Sequence, residues 1–476
     1  MVSPSIGVAR MFGIQGNIFA AVALFGYIPF AFLLFAILPP RKAVIYDFLV
    51  AWLFLPMSHL PLHGFTDFNK MSAACVGTLL GSCLFDLDTV LLFRPKIWDL
   101  PMLVWCVCPY ISSYCNGHST YDGVAAIAYQ TTSWGLPYFI GRIYFNDLKG
   151  LRELAIGIVV GGLLYLPFVW YELRMSPQLH RMVYGYMQHE FAQSKRYGGY
   201  RPMVFMQHGL AVAMWMVTAA MTAFWLWRCK VVDKIMGIPM WLVCLLLLAT
   251  AAWDHSVGAA ALMVVGLTVL WLTGITKSSI WIVLLTLAPP TWMVVRTADL
   301  WNGRNLVQFI EHYDKRAAGS LSVRFRSERA LADRALEHPI YGWTGWYLYE
   351  GREVTMNRAV PDQMWIIAFG KFGLIGLISM TTALLLPVLV LAWRIPVRYW
   401  PHPGAAPAAA LAMLLTLHMC DMLFNAMVNP IFILCAGGVT GLSFSLRGSS
   451  QQAPARPMLM NAPPHPVPMG PSAASA

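Results

Sequence analysis

The densest groupings of chemistry-bearing side chains in this sequence fall in two stretches, 172–207 and 297–362. The first, with His208 at its edge, holds His180, Arg181, His189, Glu190, Lys195, Arg196 and Arg201 among Tyr184, Tyr186, Tyr197 and Tyr200. The second, flanked by Arg296, holds Asp299, Arg304, Asp314, Arg316, Arg324, Arg326, Arg329, His338, Arg352, Arg358 and Asp362. A guanidinium stays charged at every physiological pH and donates parallel hydrogen bonds, so it matches a phosphate diester or a pyrophosphate. Aromatic rings between arginines can stack on sugar faces. Together these residue types suit a sugar carried on a lipid pyrophosphate. The plainer alternatives are arginines that hold lipid phosphates and an interfacial belt formed by Trp301, Trp343 and Trp346.

Within the second stretch, Leu321, Phe325, Leu331, Ala332, Ala335 and Leu336 approximate a 3.6-residue period. That spacing predicts an amphipathic helix over 321–337, lying on a membrane surface with its arginines on the other face. His338, just before Pro339, reads equally well as a cap to that helix.

The elements that must position these residues are membrane helices. The 476 residues are 58% hydrophobic and 12% charged, with mean hydropathy +0.59; soluble chains carry about 25% charged residues. A water-soluble enzyme is thereby excluded. Apolar runs approach the roughly 20 residues needed to cross a ~30 Å hydrocarbon core. They fall at 16–38, 43–61, 70–86, 100–116, 121–141, 151–171, 208–228, 235–254, 257–275, 279–296, 363–393, 405–426 and 428–446. The expected fold class is therefore all-α, a polytopic bundle of about 12–13 spans in a single membrane domain over 1–446. The first run lacks a basic n-region and a small-residue cleavage site, and is read as a retained helix. Residues 447–476, rich in Pro, Ser and Ala, read as a disordered cytoplasmic tail.

Lys and Arg set the orientation. Arg228, Lys230, Lys234, Lys277, Arg394 and Arg398 lie in short loops that should face the cytoplasm, which puts 172–207 and 297–362 in the periplasm. This account of the net charge of +11 needs no nucleic acid. The nine cysteines lie in or beside apolar segments without metal-ligand spacing, and no glycine-rich nucleotide loop is present. Asp254, His255, His418, Asp421, Asn425 and Asn429 fall near helix ends, where polar groups face a cavity rather than lipid.

The segment Ser322–Gly376 resembles the O-antigen ligase and O-antigen polymerase superfamily of membrane glycosyltransferases. In that pattern an arginine after a small residue precedes a His-Pro-x-x-Gly turn by fourteen residues, as Arg324 precedes His338-Pro-Ile-Tyr-Gly342 here. Downstream, Gly373-Leu-Ile-Gly376 sets Asp362-Gln363 where the family has a His-Asn pair. Arg196-Tyr-Gly-Gly199 is a looser echo of the family's other arginine site.

The resemblance implies a bacterial inner-membrane enzyme that needs neither metal nor cofactor. It would transfer a glycan with inversion from an undecaprenyl-pyrophosphate donor to a glycan or lipid acceptor at the periplasmic face, alongside polysaccharide-assembly proteins. Arg196 and Arg324 would hold the pyrophosphate, and Asp362 would stand where the ligases place their histidine base. Arg201, His208, Arg329, His338, Gln363 and Asp421 are the expected substrate-binding residues. A secondary transporter or lipid-linked glycan flippase is the alternative, since scattered polar groups among many spans suit either.

Overall fold

A computed structural model describes residues 15–60, 67–344 and 362–445. The tail expected over 447–476, and Trp346, Arg352 and Arg358 of the second charged stretch, lie outside the described residues.

The chain begins with α1 (Ile18–Ile37), α2 (Pro40–Phe54), α3 (Lys70–Phe85) and the short α4 (Leu87–Leu92). Next come α5 (Leu100–Cys115), α6 (Thr120–Gln130) and α7 (Leu136–Tyr144), the last two joined by a π-helical turn at Thr131–Gly135. α8 (Leu148–Met175) leads through α9 (Leu179–Tyr184) to α10 (Gly209–Arg228), α11 (Met240–Trp253), α12 (Val257–Thr276) and α13 (Ile280–Thr297). Then follow α14 (Arg304–Tyr313), α15 (Lys315–Ala335), α16 (Met364–Arg394), α17 (Ala406–Asp421) and α18 (Pro430–Ser445). Short 3-10 turns at Ile97–Asp99, Phe191–Ser194 and Val397–Tyr399 and three pairs of two-residue antiparallel strands complete the described elements: β1–β2 (His59–Leu60, Phe68–Asn69), β3–β4 (Lys195–Arg196, Gly199–Tyr200) and β5–β6 (Lys234–Ile235, Ile238–Pro239).

This is an all-α helical bundle. Among the described residues six helices, α1, α8, α10, α12, α13 and α16, are long and apolar enough to cross a membrane. α3, α11, α17 and α18 are shorter apolar helices. Polar side chains cap several helices of the bundle. Asn17 caps α1 by accepting from Ala20 N, Asn69 and Ser72 form a reciprocal capping box on α3, and Asp314 accepts from Arg316 N and Ala317 N to start α15. Each side chain satisfies backbone donors that have no partner inside the helix.

α10 and α17 are enclosed on nearly every side. Elsewhere small residues let backbones meet: a Cβ on Gly437 would stand 1.9 Å from Tyr138 O, and one on Gly141 would stand 2.1 Å from Leu434 O. α7 and α18 therefore cross at a distance only glycine permits, as expected where packing rather than hydrophobicity drives helix association.

α16 is two helices end to end. Gly373 breaks it with φ 62° and ψ −161°, and residues 338–344 fill the break. Trp343 N donates to Gly370 O at 2.8 Å, Thr344 N to Lys371 O at 2.9 Å and Leu374 N to Pro339 O at 2.7 Å. Gly342, also at positive φ, lies so close that a Cβ there would be 2.5 Å from Lys371 C; one on Gly373 would be 2.2 Å from Ile340 O. The two glycines that punctuate the His-Pro-x-x-Gly and Gly-x-x-Gly segments interlock. Backbone groups freed by the break are paired by the inserted turn, which is what an apolar environment demands.

The helix expected over 321–337 is α15, but it starts at Lys315, and its apolar face is not laid on a surface. Phe325, Leu331, Ala332 and Ala335 are buried in the protein, and α15 packs against α16. Leu336, expected on that face, is exposed. The exposed amphipathic helix is instead α14, in which no residue is buried.

Candidate functional site

Loop 172–207 is rigidly tied to the bundle. Glu172, at the end of α8, accepts from Leu179 N, Met203 N and Val204 N at 2.7–2.9 Å. His180 accepts from Met57 N at 3.2 Å, and Lys70 donates to Trp52 O and Phe205 O, both at 3.0 Å. These buried polar groups fix the path of the chain towards β3 and β4.

The β3–β4 hairpin turns on Tyr197 and Gly198, both at positive φ, in the manner of the tight turns whose twist matches paired strands. Tyr197 Oη donates to Asp314 Oδ2 at 2.5 Å, and Arg316 donates to Lys195 O at 2.7 Å. The hairpin is thus latched to the start of α15, and this brings Arg196 to Arg324. Burial, Arg316 and Arg324 hold the Arg196 pKa below its usual value. Burial lowers Arg201 to about 10, with Arg196 and Arg324 acting in the same sense and Asp254 opposing.

Arg196, Arg201 and Arg324 therefore form one cluster although 196 and 324 are far apart in sequence. Among the described residues none of the three makes an ion pair, and the Nε of each is buried without a hydrogen-bond partner. Arg201 donates to His255 O at 2.9 Å. Arg324 donates to Ser320 Oγ at 2.9 Å and to Asn425 Oδ1 at 3.4 Å. Three converging guanidinium groups repel one another, and an anion with several oxygens would relieve that repulsion while filling the free donors.

His208 borders the cluster. As the N-cap of α10 its Nδ1 accepts from Leu210 N at 3.0 Å, which leaves the proton of the neutral ring on Nε2. Burial lowers its pKa to about 3, with His189 and the three arginines adding to the effect. The rings of His189 and His208 are 4.6 Å apart. His208 is therefore neutral at physiological pH, and it meets the cluster as a hydrogen-bonding group rather than a charge.

One carboxylate, Asp254, reaches the cluster from the Arg201 side, and two more approach Arg324. Burial lowers the Arg324 pKa, and Asp362 and Asp421 oppose the shift, so both lie within its electrostatic reach. Asp362 is exposed, free to meet an incoming group. Asp421 acts one residue removed: its Oδ1 accepts from Asn425 Nδ2 at 2.6 Å, and Asn425 in turn accepts from Arg324. Asn425 O also accepts from Met364 N, so the 422–425 turn caps α16 and supports Arg324 at once.

Gln363 is fully buried behind the cluster. Its Nε2 donates to Glu328 Oε2 at 3.1 Å, and Glu328 pairs with Arg296, so Gln363 joins α16 to α15 rather than facing the opening. Two expected residues are elsewhere. Arg329 is five residues beyond Arg324, roughly 140° around the helix, and pairs with Asp299 and Asp333 at 2.9 and 3.0 Å. His338 is fourteen residues beyond Arg324, about 20 Å along the helix axis. It follows the last turn of α15, where its N donates to Ala335 O, and its ring packs on Trp343 with centroids 3.7 Å apart.

The Tyr197–Asp314 latch and the Asn425 bridge are the parts that residue types did not assign. Tyr197 looked like one of four tyrosines, and only the neighbouring Arg196-Tyr-Gly-Gly run signalled a tight turn there. Asn425 was visible as one polar residue at a helix end, without its partner. No family model matches this chain, and no curated protein matches it in sequence.

Proposed function

We propose that the chain is a membrane glycosyltransferase of polysaccharide assembly, acting on a glycan linked to undecaprenyl pyrophosphate. The observation that carries this reading is the convergence of Arg196, Arg201 and Arg324, three guanidinium groups with unfilled donors and no ion pair among the described residues. In the proposed membrane setting the bundle makes twelve or thirteen passes through a bacterial inner membrane, with the cluster on the periplasmic side. The acceptor hydroxyl oxygen attacks the anomeric carbon from the face opposite the pyrophosphate, and its proton passes to the Asp362 carboxylate. The bond from the anomeric carbon to pyrophosphate breaks, and the negative charge that grows on the leaving oxygen is met by Arg196, Arg201 and Arg324. Asn425 and Asp421 orient Arg324, and neutral His208 donates from Nε2.

A second reading, carriage of a lipid-linked glycan across the membrane, draws on the break in α16, because transporters use discontinuous helices around their substrates. One experiment separates the two. The purified protein is reconstituted in vesicles with a fluorescent undecaprenyl-pyrophosphate oligosaccharide and acceptor. Release of undecaprenyl pyrophosphate with a longer or conjugated glycan supports transfer. Movement of intact donor between leaflets without that release overturns it.

A further inference from the structure

A second basic cavity lies on the opposite side of α15. It measures about 420 Å³ and sits between α15, the N-terminal end of α14 and the end of α13. Four arginines and one carboxylate line it: Arg296, Arg304, Arg326, Arg329 and Asp299. Two of the arginines are neutralised within the fold, Arg296 by Glu328 and Arg329 by Asp299 and Asp333. Among the described residues Arg304 and Arg326 have no ion pair. Since Arg329 takes two carboxylates, the four arginines and their three acidic partners leave one net positive charge, which matches one phosphate diester, and the two guanidinium groups without an ion pair supply the hydrogen bonds.

The first turn of α14 borders the cavity; its first N–H, that of Arg304, donates to Asn302 Oδ1 at 3.0 Å, and the positive end of the helix dipole adds to the attraction for an anion. The turn is held there by Gly303, which has φ 76° and a Phe325 ring where a Cβ would be. Phe325 forms one wall, and its ring also lies under the Arg296 guanidinium at 4.6 Å.

What distinguishes a lipid from a free anion is the rest of α14. Leu306, Phe309, Ile310 and Tyr313 recur at helical spacing, and Phe309 and Tyr313 are 63% and 74% exposed. Arg304, Val307 and Gln308 face the cavity, whereas Leu306, Phe309, Ile310 and Tyr313 lie on the other side of the helix, so a lipid spans the two by passing around the N-terminal end of α14. That end lies beside the end of α13, one of the helices apolar enough to cross a membrane. Basic pockets between helices at a membrane surface take lipid headgroups, and amphipathic helices there lay their apolar side among acyl chains.

We infer that this cavity binds the phosphate of an anionic membrane lipid, with Arg304 and Arg326 as its ligands and the lipid chains running along Phe309 and Tyr313. The site is separate from the Arg196–Arg201–Arg324 cluster, and it stands whether or not the chain transfers glycans. The test is thermal unfolding of the purified full chain in neutral detergent, titrated with phosphatidylglycerol, phosphatidylcholine or inorganic phosphate. Phosphatidylglycerol is expected to raise the melting temperature saturably and phosphatidylcholine to leave it unchanged. Arg304→Gln/Arg326→Gln should weaken the phosphatidylglycerol response about tenfold or more, whereas Arg324→Lys should retain it. An equal response to phosphatidylcholine, or an undiminished response in the double variant, overturns the site. A full response to inorganic phosphate alone overturns the lipid as its occupant. If the double variant does not fold, Arg326→Gln and Phe309→Ser are measured singly. Each should weaken phosphatidylglycerol binding, and a wild-type response in both overturns the proposal.

Discussion

Tyr197 and Asp314, from loop and helix cap, share a hydrogen bond of 2.5 Å, and this contact joins the two charged stretches of the chain. Tyr197 is held at φ 48°, a conformation costing a bulky residue on the order of 1 kcal/mol. The bond offsets that cost and aims Arg196 at Arg324. Tyr197→Phe should therefore leave the bundle folded and weaken donor binding several-fold, since Arg196 loses its anchor. Equilibrium binding of a lipid pyrophosphate to the variant measures this, and wild-type affinity would show that the latch is not needed for positioning.

Arg324→Lys keeps the charge and loses the planar fork. Lysine cannot both reach Asn425 and present parallel donors, so turnover is expected to fall roughly 10²-fold, as when one preorganised transition-state donor is removed. The melting temperature should stay near that of wild type. Glycan transfer at saturating donor is the readout, and an unchanged rate would remove Arg324 from the site.

Asp362→Asn preserves shape and abolishes proton acceptance. If the carboxylate is the base, turnover drops by roughly 10² to 10⁴ with donor affinity nearly unchanged. If it only orients Arg324, donor affinity falls together with turnover. Asp362→His, which restores a titratable base at this position, should recover part of the rate in the first case and none in the second.

His208 gives a pH signature. Its folded pKa is about 3 and its unfolded value about 6.5. Between those values the unfolded chain binds a proton that the folded chain refuses, so stability is complete above pH 6.5 and declines as pH falls towards 3. Asparagine still caps a helix but does not titrate, so His208→Asn should flatten the fall in melting temperature over that window. An identical pH profile in the two proteins would mean that His208 is not held neutral.

The interlock at the helix break is tested by Gly373→Ala. The added methyl meets Ile340 O and the backbone sits at positive φ, so a loss of about 1–3 kcal/mol is expected, read as a lower melting temperature. A stable Gly373→Ala protein would show that the turn and the break do not need each other's close approach.

The apolar runs were legible because hydrocarbon imposes length and composition on any helix that crosses it. The break at Gly373 was not, since 363–393 reads as one span despite Lys371 and the segment that pairs with it comes from before the helix. Arg196 and Arg324 could be picked out by residue type and by resemblance, and the fold brings them together. Arg329 and His338 were also picked out, but helical geometry carries them away from Arg324, one around the axis and the other along it. Gln363 is adjacent in sequence to Asp362 yet points inward, because it is the N-cap of α16 in extended backbone (φ −112°, ψ 126°), where successive side chains point to opposite sides. Such differences depend on which face of a helix meets its neighbours, and residue identity alone does not set that.

The insertion of residues 338–344 into α16 also bears on how the chain is made. A helix interrupted in hydrocarbon exposes backbone groups that cost several kcal/mol each if unpaired. The segment that pairs with them precedes the break by about thirty residues, so it has already left the ribosome when Gly373 emerges. The two parts can therefore meet before downstream helices are synthesised, and loop closure over so short a span is entropically mild. A deletion that shortens the connection between Gly342 and Met364 would strand the broken helix during biogenesis, and the expected phenotype is degradation of the nascent protein, not an inactive one that accumulates.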